Sequence, residues 1–315
     1  MRALVLDRPG SFRVADVPDP TPRPTEVVVK VDCCGICGTD LHILAGEFPP
    51  APYPLVPGHD LPDGTRVAVD PSLFCGWCRR CRAGRGNLCE NWGAIGDTVS
   101  GAFAEYVAVP AVNAYRLPDH LDGQYGAMAE PLSCAVHGVR RLGPVAGDAA
   151  VVIGAGPMGL LLLQLLLHGG AGPVAVVDRV RGRLDVARKL GAAQAVTDAS
   201  ALGGARFHVA IDATGVPEAI ETAIGLLDRG GRMLIFGVSP AGATIGVSPF
   251  RVYNDELTIV GSMAVLRSFG QAVDLLASGA VDPRPLLGEP LPLDDFGAAV
   301  DHIRAGQGIK WHIHP

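Results

Sequence analysis

The chain has 315 residues, 48% of them hydrophobic and 18% charged, with a formal net charge of −6. That balance excludes a disordered chain, and with no basic stripe there is no footprint for nucleic acid. The length suits two domains, and the 41 glycines and 26 prolines indicate many tight turns and close backbone approaches.

The opening MRALVLDRPGSF interrupts its apolar run with an acid, unlike a signal peptide. It reads as the first of several strands. RALVLD, EVVVKVDCCG, GTRVAVDPS and GAFAEYVAVPAVNAYRLPD are short runs rich in β-branched residues, punctuated by Pro and Gly. From about Glu130 the texture changes. AEPLSCAVHGVRRLG has helical spacing, with Leu132, Val136, Val139 and Leu142 on one face. Next comes strand, glycine turn, apolar helix and strand in DAAVVIGAGPMGLLLLQLLLHGGAGPVAVVDRV. RFHVAIDATG, GGRMLIFGV and LTIVGSM continue as buried strands between helices, the pattern of a parallel sheet covered on both faces. The tail DDFGAAVDHIRAGQGIKWHIHP gives a helix and a terminal strand, which needs a sheet to join; the early β-rich region can supply one. The most apolar stretch, from Gly159, falls short of the ~20 residues of a membrane span. A cytoplasmic protein without membrane contact is expected. Thiols stay reduced there, so clustered cysteines point to metal before disulfides.

Four of the eight cysteines, Cys75, Cys78, Cys81 and Cys89, fall within fifteen residues, CGWCRRCRAGRGNLC. Four thiolates on one short loop match the closed tetrahedral shell of a structural zinc. Arg79, Arg80, Arg82 and Arg85 interleave and offset the negative charge. An iron–sulfur cluster is the second reading, although the final gap is long and no proline follows the last cysteine. Disulfides are the third.

The glycines of VVIGAGPMG have the context of a dinucleotide site. Gly154 allows the turn, Gly156 a close approach to a pyrophosphate, and Gly159 the packing of helix on strand. Pro157 and Met158 open the helix, whose N-terminus attracts phosphate. Asp178 ends the next strand, where an acid binds a ribose 2′-hydroxyl, so NAD is favoured over NADP. Arg183 counts among the cofactor-binding candidates and, with Arg179, pulls the other way.

Three further segments carry ligand-type residues: CGICGTDLH with Cys37, Thr39, Asp40 and His42; VPGHD with His59 and Asp60; and MAEPLSCAVHG with Glu130, Cys134 and His137. Cys33, Cys34 and Cys134 read as small core residues and His137 as a packed histidine. One thiolate, one imidazole and one carboxylate with a free position make the ligand arithmetic of a catalytic zinc.

In combination, GICGTDLH, GHD, the four-cysteine lobe, AEPLSCAVHG and VVIGAGPMGLL resemble, in order, the zinc-dependent medium-chain alcohol dehydrogenases, nearest their polyol and threonine dehydrogenase branch. The resemblance covers almost the whole chain. It implies a GroES-like, β-rich catalytic domain over 1–125, with its zinc lobe at 75–89 and completed by 286–315. A Rossmann domain with a doubly wound parallel sheet would occupy 126–285. It further implies two zinc ions per chain: a structural one at the four cysteines, and a catalytic one held by Cys37 and His59 with Asp60 or Glu130. Thr39 would pass the alcohol proton onward and His42 would lead it to solvent, with Asp40 orienting His59. The activity implied is hydride transfer from a secondary alcohol (a polyol, amino alcohol or cyclitol) to NAD, giving a ketone. A homodimer or homotetramer joined near TIVGSM is also implied.

Two departures stand out. Asp60 occupies a position where relatives usually have Glu. More seriously, GHDLPDGTRVAVDPS runs almost directly into the next strand, so at least one strand of the catalytic domain after His59 is expected to be missing. Two alternatives are weighed: a nucleotide-binding homologue whose site is impaired by that loss, and, independently of it, a zinc-independent enone or quinone reductase on the same fold.

Overall fold

β1 (Arg2–Arg8) buries Ala3, Leu4, Val5 and Leu6 and pairs antiparallel with β2 (Ser11–Asp16). The computed structural model describes residues 1–47, 52–57 and 66–315. By contacts, the chain divides into two units. The first is Met1–Ser133 with Val265–Gly279 and Leu287–Pro315; the second is Cys134–Ala264 with Ala280–Leu286.

In the first unit, β3 (Glu26–Lys30) and β4 (Cys34–Gly35) lead into helix α1 (Gly38–Ala45). β5 (Val67–Val69) and β6 (Ser72–Leu73) precede the cysteine lobe, which contains α2 (Arg79–Arg82). β7 (Gly93–Ala94), β8 (Tyr106–Pro110) and β9 (Ala114–Arg116) return antiparallel to β6, β3 and β5 respectively. The result is a set of short ladders around a main core that includes Leu4, Leu6, Val29, Ile43, Phe103 and Phe296, with a smaller cluster of Ala3, Val5, Val56 and Ala104 on the other face of β1. Phe296 meets Phe12 and Phe103 at centroid separations of 5.2 and 5.3 Å, contacts that each add about 0.5–1.5 kcal/mol beyond burial. The segment in which a strand is expected to be missing, residues 58–65, lies outside the described residues.

Helix α3 (Gly123–Gly126) is followed by α4 (Ala129–Leu142), which begins in the first unit and ends in the second. The second unit then alternates strand and helix: β10 (Ala150–Ile153), α5 (Pro157–His168), β11 (Val174–Val177), α6 (Arg181–Lys189), β12 (Gln194–Val196), β13 (Phe207–Asp212), α7 (Pro217–Gly225), β14 (Leu227–Ile235), α8 (Pro249–Asn254) and β15 (Thr258–Gly261). The strands are all parallel, in the order β12-β11-β10-β13-β14-β15. This is the doubly wound Rossmann order. β10 and β11 are short and wholly buried, which explains why they read as unbroken Val and Ile runs rather than alternating ones.

The chain then returns to the first unit through α9 (Phe269–Ala277), where Phe269 packs on Tyr115 at 4.8 Å. β16 (Leu291–Pro292), α10 (Phe296–Arg304) and β17 (His312–His314) complete it. β17 lies between β16 and β4, with Ile313 opposite Cys34, and Ile36 N–H donates to the Trp311 carbonyl at 2.9 Å.

Candidate active site and metal sites

Helix α1 begins on Cys37, which has extended backbone angles and acts as its N-cap. The Cys37 Sγ accepts from the Thr39 N–H at 3.2 Å, and the Asp40 carboxylate accepts from the Cys37 N–H at 2.8 Å. The two bonds form a capping box with a thiol in the place usually held by Ser or Thr. The sulfur thus sits where an N–H and the positive end of the helix both favour a thiolate. Asp40, expected to orient His59, is buried and turned onto the Cys37 backbone. Thr39 and His42 are three residues apart on α1 and share one face. The His42 Nδ1 lies 2.8 Å from the Glu47 carboxylate.

Glu130 stands in the first turn of α4, half-buried, with its carbonyl accepting from the Ser133 hydroxyl at 2.8 Å. His59 and Asp60 lie outside the described residues. On the same helix His137 is buried, and burial, followed by Arg141 and Arg140, pushes its pKa below the ordinary value. That is the behaviour of a packed, neutral imidazole.

The structure brings the four lobe cysteines together. Their sulfurs all lie within 4.8 Å of one another, and among the described residues they are the group of three or more Cys, His or acidic side chains close enough to share an ion. Cys89 Sγ is 3.6 Å from Cys75 Sγ and 3.9 Å from Cys78 Sγ. Tetrahedral zinc with bonds of about 2.3 Å needs sulfurs about 3.8 Å apart, so this donor set fits the ion. Backbone N–H groups of Cys75, Cys78, Cys81 and Asn91 point at the sulfurs from 3.2–3.5 Å. At Cys75 desolvation opposes ionisation, but N–H donors from Cys78 and Trp77 bring the thiol down to about 6. Cys78 is lowered by N–H groups of Cys81 and Glu90. Desolvation, then the neighbouring Cys78, pushes Cys81 up to about 12. Sulfurs this close cannot all carry charge alone; a divalent cation removes that conflict.

In the second unit, the turn after β10 restricts two of its positions to glycine. Gly154 has φ 103°, and a Cβ on Gly159 would lie 1.8 Å from the Gly154 carbonyl oxygen. Gly156 caps α5 without a side-chain bond, and a Cβ there would meet nothing within 4 Å. Pro157 occupies the first turn of α5, where its missing N–H costs nothing, and Met158 follows it. The N–H groups of that turn and the open space beside Gly156 suit a pyrophosphate.

Asp178 follows β11. One carboxylate oxygen accepts from Ala155 N–H and the other from Val180 N–H, both at 2.7 Å. The acid therefore ties the glycine turn to its own strand end, and each oxygen keeps a second lone pair for a hydroxyl. Arg183 lies in α6, and its Nε is buried with no hydrogen-bond partner among the described residues.

Sequence reasoning missed Asp212, the fully buried last residue of β13. Its carboxylate accepts from Thr214 N–H, Thr214 Oγ1–H and Gly215 N–H at 2.9, 2.6 and 3.0 Å. It thereby holds the loop beside Gly154, where Thr214 Cγ2 would be 2.8 Å from a Cβ on that glycine. This is the switch point of the sheet, where such folds take ligands. The available signal was an Asp-Ala-Thr-Gly cluster directly after an apolar strand.

Two family patterns match the chain: the alcohol dehydrogenase GroES-like domain over residues 23–119 and the zinc-binding dehydrogenase domain over residues 157–278. D-arabinitol dehydrogenase 1 of Uromyces fabae is 34% identical over 341 positions, covering 100% of this chain and 97% of its own. The chain belongs to the zinc-dependent medium-chain dehydrogenases. A solved structure from Sinorhizobium meliloti 1021 bound to NADP superposes on this dehydrogenase with a TM-score of 0.93 at 35% identity, covering 100% of this chain and 99% of the other. The rspB alcohol dehydrogenase from E. coli CFT073, complexed with NADH, gives 0.93 at 29% identity with the same coverage. The alignment with the Uromyces enzyme runs over 341 positions against the 315 residues of this dehydrogenase, so the relative carries segments that this chain lacks.

Proposed function

We propose that this dehydrogenase oxidises a secondary alcohol of the polyol class to a ketone, with NAD as hydride acceptor. The observation that carries the reading is Cys37 held as a helix-capping thiol, with Thr39 and His42 following it on one face, in a chain whose second unit carries a tight turn that requires glycine at Gly154 and Gly159. The arabinitol activity of the Uromyces relative supports the polyol class.

Zinc, when bound, supplies a Lewis acid for the alcohol oxygen, and NAD supplies the acceptor for the hydride. The residues proposed to hold the catalytic ion are Cys37, His59 and Glu130, with Asp60 as an alternative carboxylate; those for a second, structural ion are Cys75, Cys78, Cys81 and Cys89. Thr39 takes the hydroxyl proton of the alcohol and passes its own to His42. The turn of Gly154, Gly156 and Gly159, with Pro157 and Met158, holds the pyrophosphate. Asp178 receives the ribose hydroxyl on its remaining lone pairs and repels a 2′-phosphate.

The test is NADH formation by the zinc-loaded protein against a panel of D-arabinitol, other pentitols and hexitols, and L-threonine, with metal analysis of the same sample. Turnover of a polyol with two zinc ions per chain is expected. One zinc and no turnover would leave the impaired homologue. Full turnover after chelation would leave the zinc-independent reductase.

The same proposal includes assembly. β15 is the edge of the sheet as described, and Ile259, Phe250 and Tyr253 are exposed on it and on α8. An edge strand with apolar neighbours is favourable to pairing with a second copy.

A further inference from the structure

Helix α1 ends in a turn that returns the chain onto His42. Gly46 takes φ 77°, a left-handed value that suits glycine, and its N–H reaches the carbonyls of His42 and Ile43. The next N–H, of Glu47, donates to the His42 carbonyl at 2.8 Å, and the Glu47 carboxylate meets the His42 Nδ1, also at 2.8 Å. Backbone and side chain of Glu47 therefore clip the same residue. The loop is only a few residues long, so closing it costs little entropy. As a surface ion pair the contact would stabilise the fold little: His42 is 37% and Glu47 64% exposed. Its effect lies in the proton inventory of the ring. An ionised carboxylate only accepts, so the hydrogen of a neutral His42 must sit on Nδ1, leaving Nε2 with a bare lone pair. A neutral imidazole left to itself has no such constraint.

We propose that Glu47 is a positioning residue for proton release: by accepting the Nδ1 hydrogen of His42 it keeps Nε2 as the atom that receives the proton from Thr39. This rests on the alcohol-oxidation reading. The balance is complete within it. The alcohol loses a hydride to NAD and its hydroxyl proton to Thr39; Thr39 gives up its own proton to Nε2; and the imidazolium, paired with Glu47, releases one proton to water. Residues 37–47 carry the whole arrangement, since the cap on Cys37 fixes the start of α1 and the Gly46 turn fixes its end.

The test compares zinc-loaded wild type with Glu47→Ala and Glu47→Gln, using 15N-histidine NMR to read the His42 tautomer and steady-state kinetics near neutral pH. The wild type should show His42 protonated on Nδ1. E47A should move it to the Nε2–H form and lower kcat for alcohol oxidation about threefold to tenfold, with KM for NAD unchanged. E47Q, whose amide oxygen still accepts, should retain the tautomer and most of kcat. A wild-type Nε2–H tautomer overturns the proposal, as does an E47A enzyme that matches wild type in tautomer or in kcat. A zinc-loaded wild type that forms NADH from none of the alcohols removes the parent reading and this one together, whereas turnover insensitive to E47A removes only the role of Glu47.

Discussion

The Cys37 sulfur has a part in both folding and chemistry, and single substitutions can separate the two. It accepts the Thr39 N–H that starts α1, and it is the proposed thiolate ligand. Cys37→Ser should keep the cap, because serine is a preferred capping residue, yet lose turnover by at least about a hundredfold in NADH formation. Cys37→Ala should lose turnover and also about 1 kcal/mol of stability in denaturant melts. Equal stability of the two variants would show that the cap contributes nothing. Gly159→Ala places a methyl 1.8 Å from the Gly154 oxygen, which is backbone and cannot step aside. A loss of about 3 kcal/mol or more and of NAD binding by calorimetry is expected. At this scale the sequence was legible wherever a residue type has one physical use: the glycine turn and the thiol cluster could be named from spacing alone. It was not legible where a common side chain does unexpected local work. Nothing in the spacing shows that Asp178 holds two backbone N–H groups, or that Asp40 turns onto Cys37 rather than outward.

Among the elements, the cysteine lobe depends on sulfur chemistry more than on packing, since its helix α2 spans only Arg79–Arg82 and buries none of them. Removing a thiol ligand should therefore cost the lobe its order. Cys78→Ser is expected to lower the zinc content by one per chain and to lower the melting temperature, while NAD binding persists; zinc sites of this kind couple binding to folding. In the zinc-free protein the pKa directions give an order of reactivity. Cys75, brought down to about 6 from an ordinary 9, should be alkylated before Cys81, which is pushed up to about 12. The linkage signs are opposite. Cys75 favours the folded, zinc-free lobe at high pH and loses that contribution as pH falls through about 6; Cys81 favours it at low pH and loses that contribution between 9 and about 12. Peptide mapping after iodoacetamide at pH 7 checks the order, and equal labelling of both would refute it. The strand-and-helix alternation of the second unit was readable because buried parallel strands write themselves as apolar runs. The short ladders of the first unit were readable only as a β-rich texture, because their pairing depends on partners far away in sequence, such as Val28 opposite Ala108.

For the whole molecule, the sheet edge at β15 invites a test of assembly. Ile259→Lys, placed on that edge, should convert a dimer to a monomer in light scattering while leaving the metal content unchanged. A dimer indifferent to the substitution would place the contact elsewhere.

The pairing of β17 with β4 sets a schedule for making the protein. Ile313 lies opposite Cys34, and Trp311 receives the Ile36 N–H, so the strand just before Cys37 finds its neighbour only after residues 311–314 have been synthesised. During synthesis the six parallel strands can therefore pair while the segment leading to Cys37 still lacks its neighbour, so that cysteine is the later of the two regions to reach its final backbone setting.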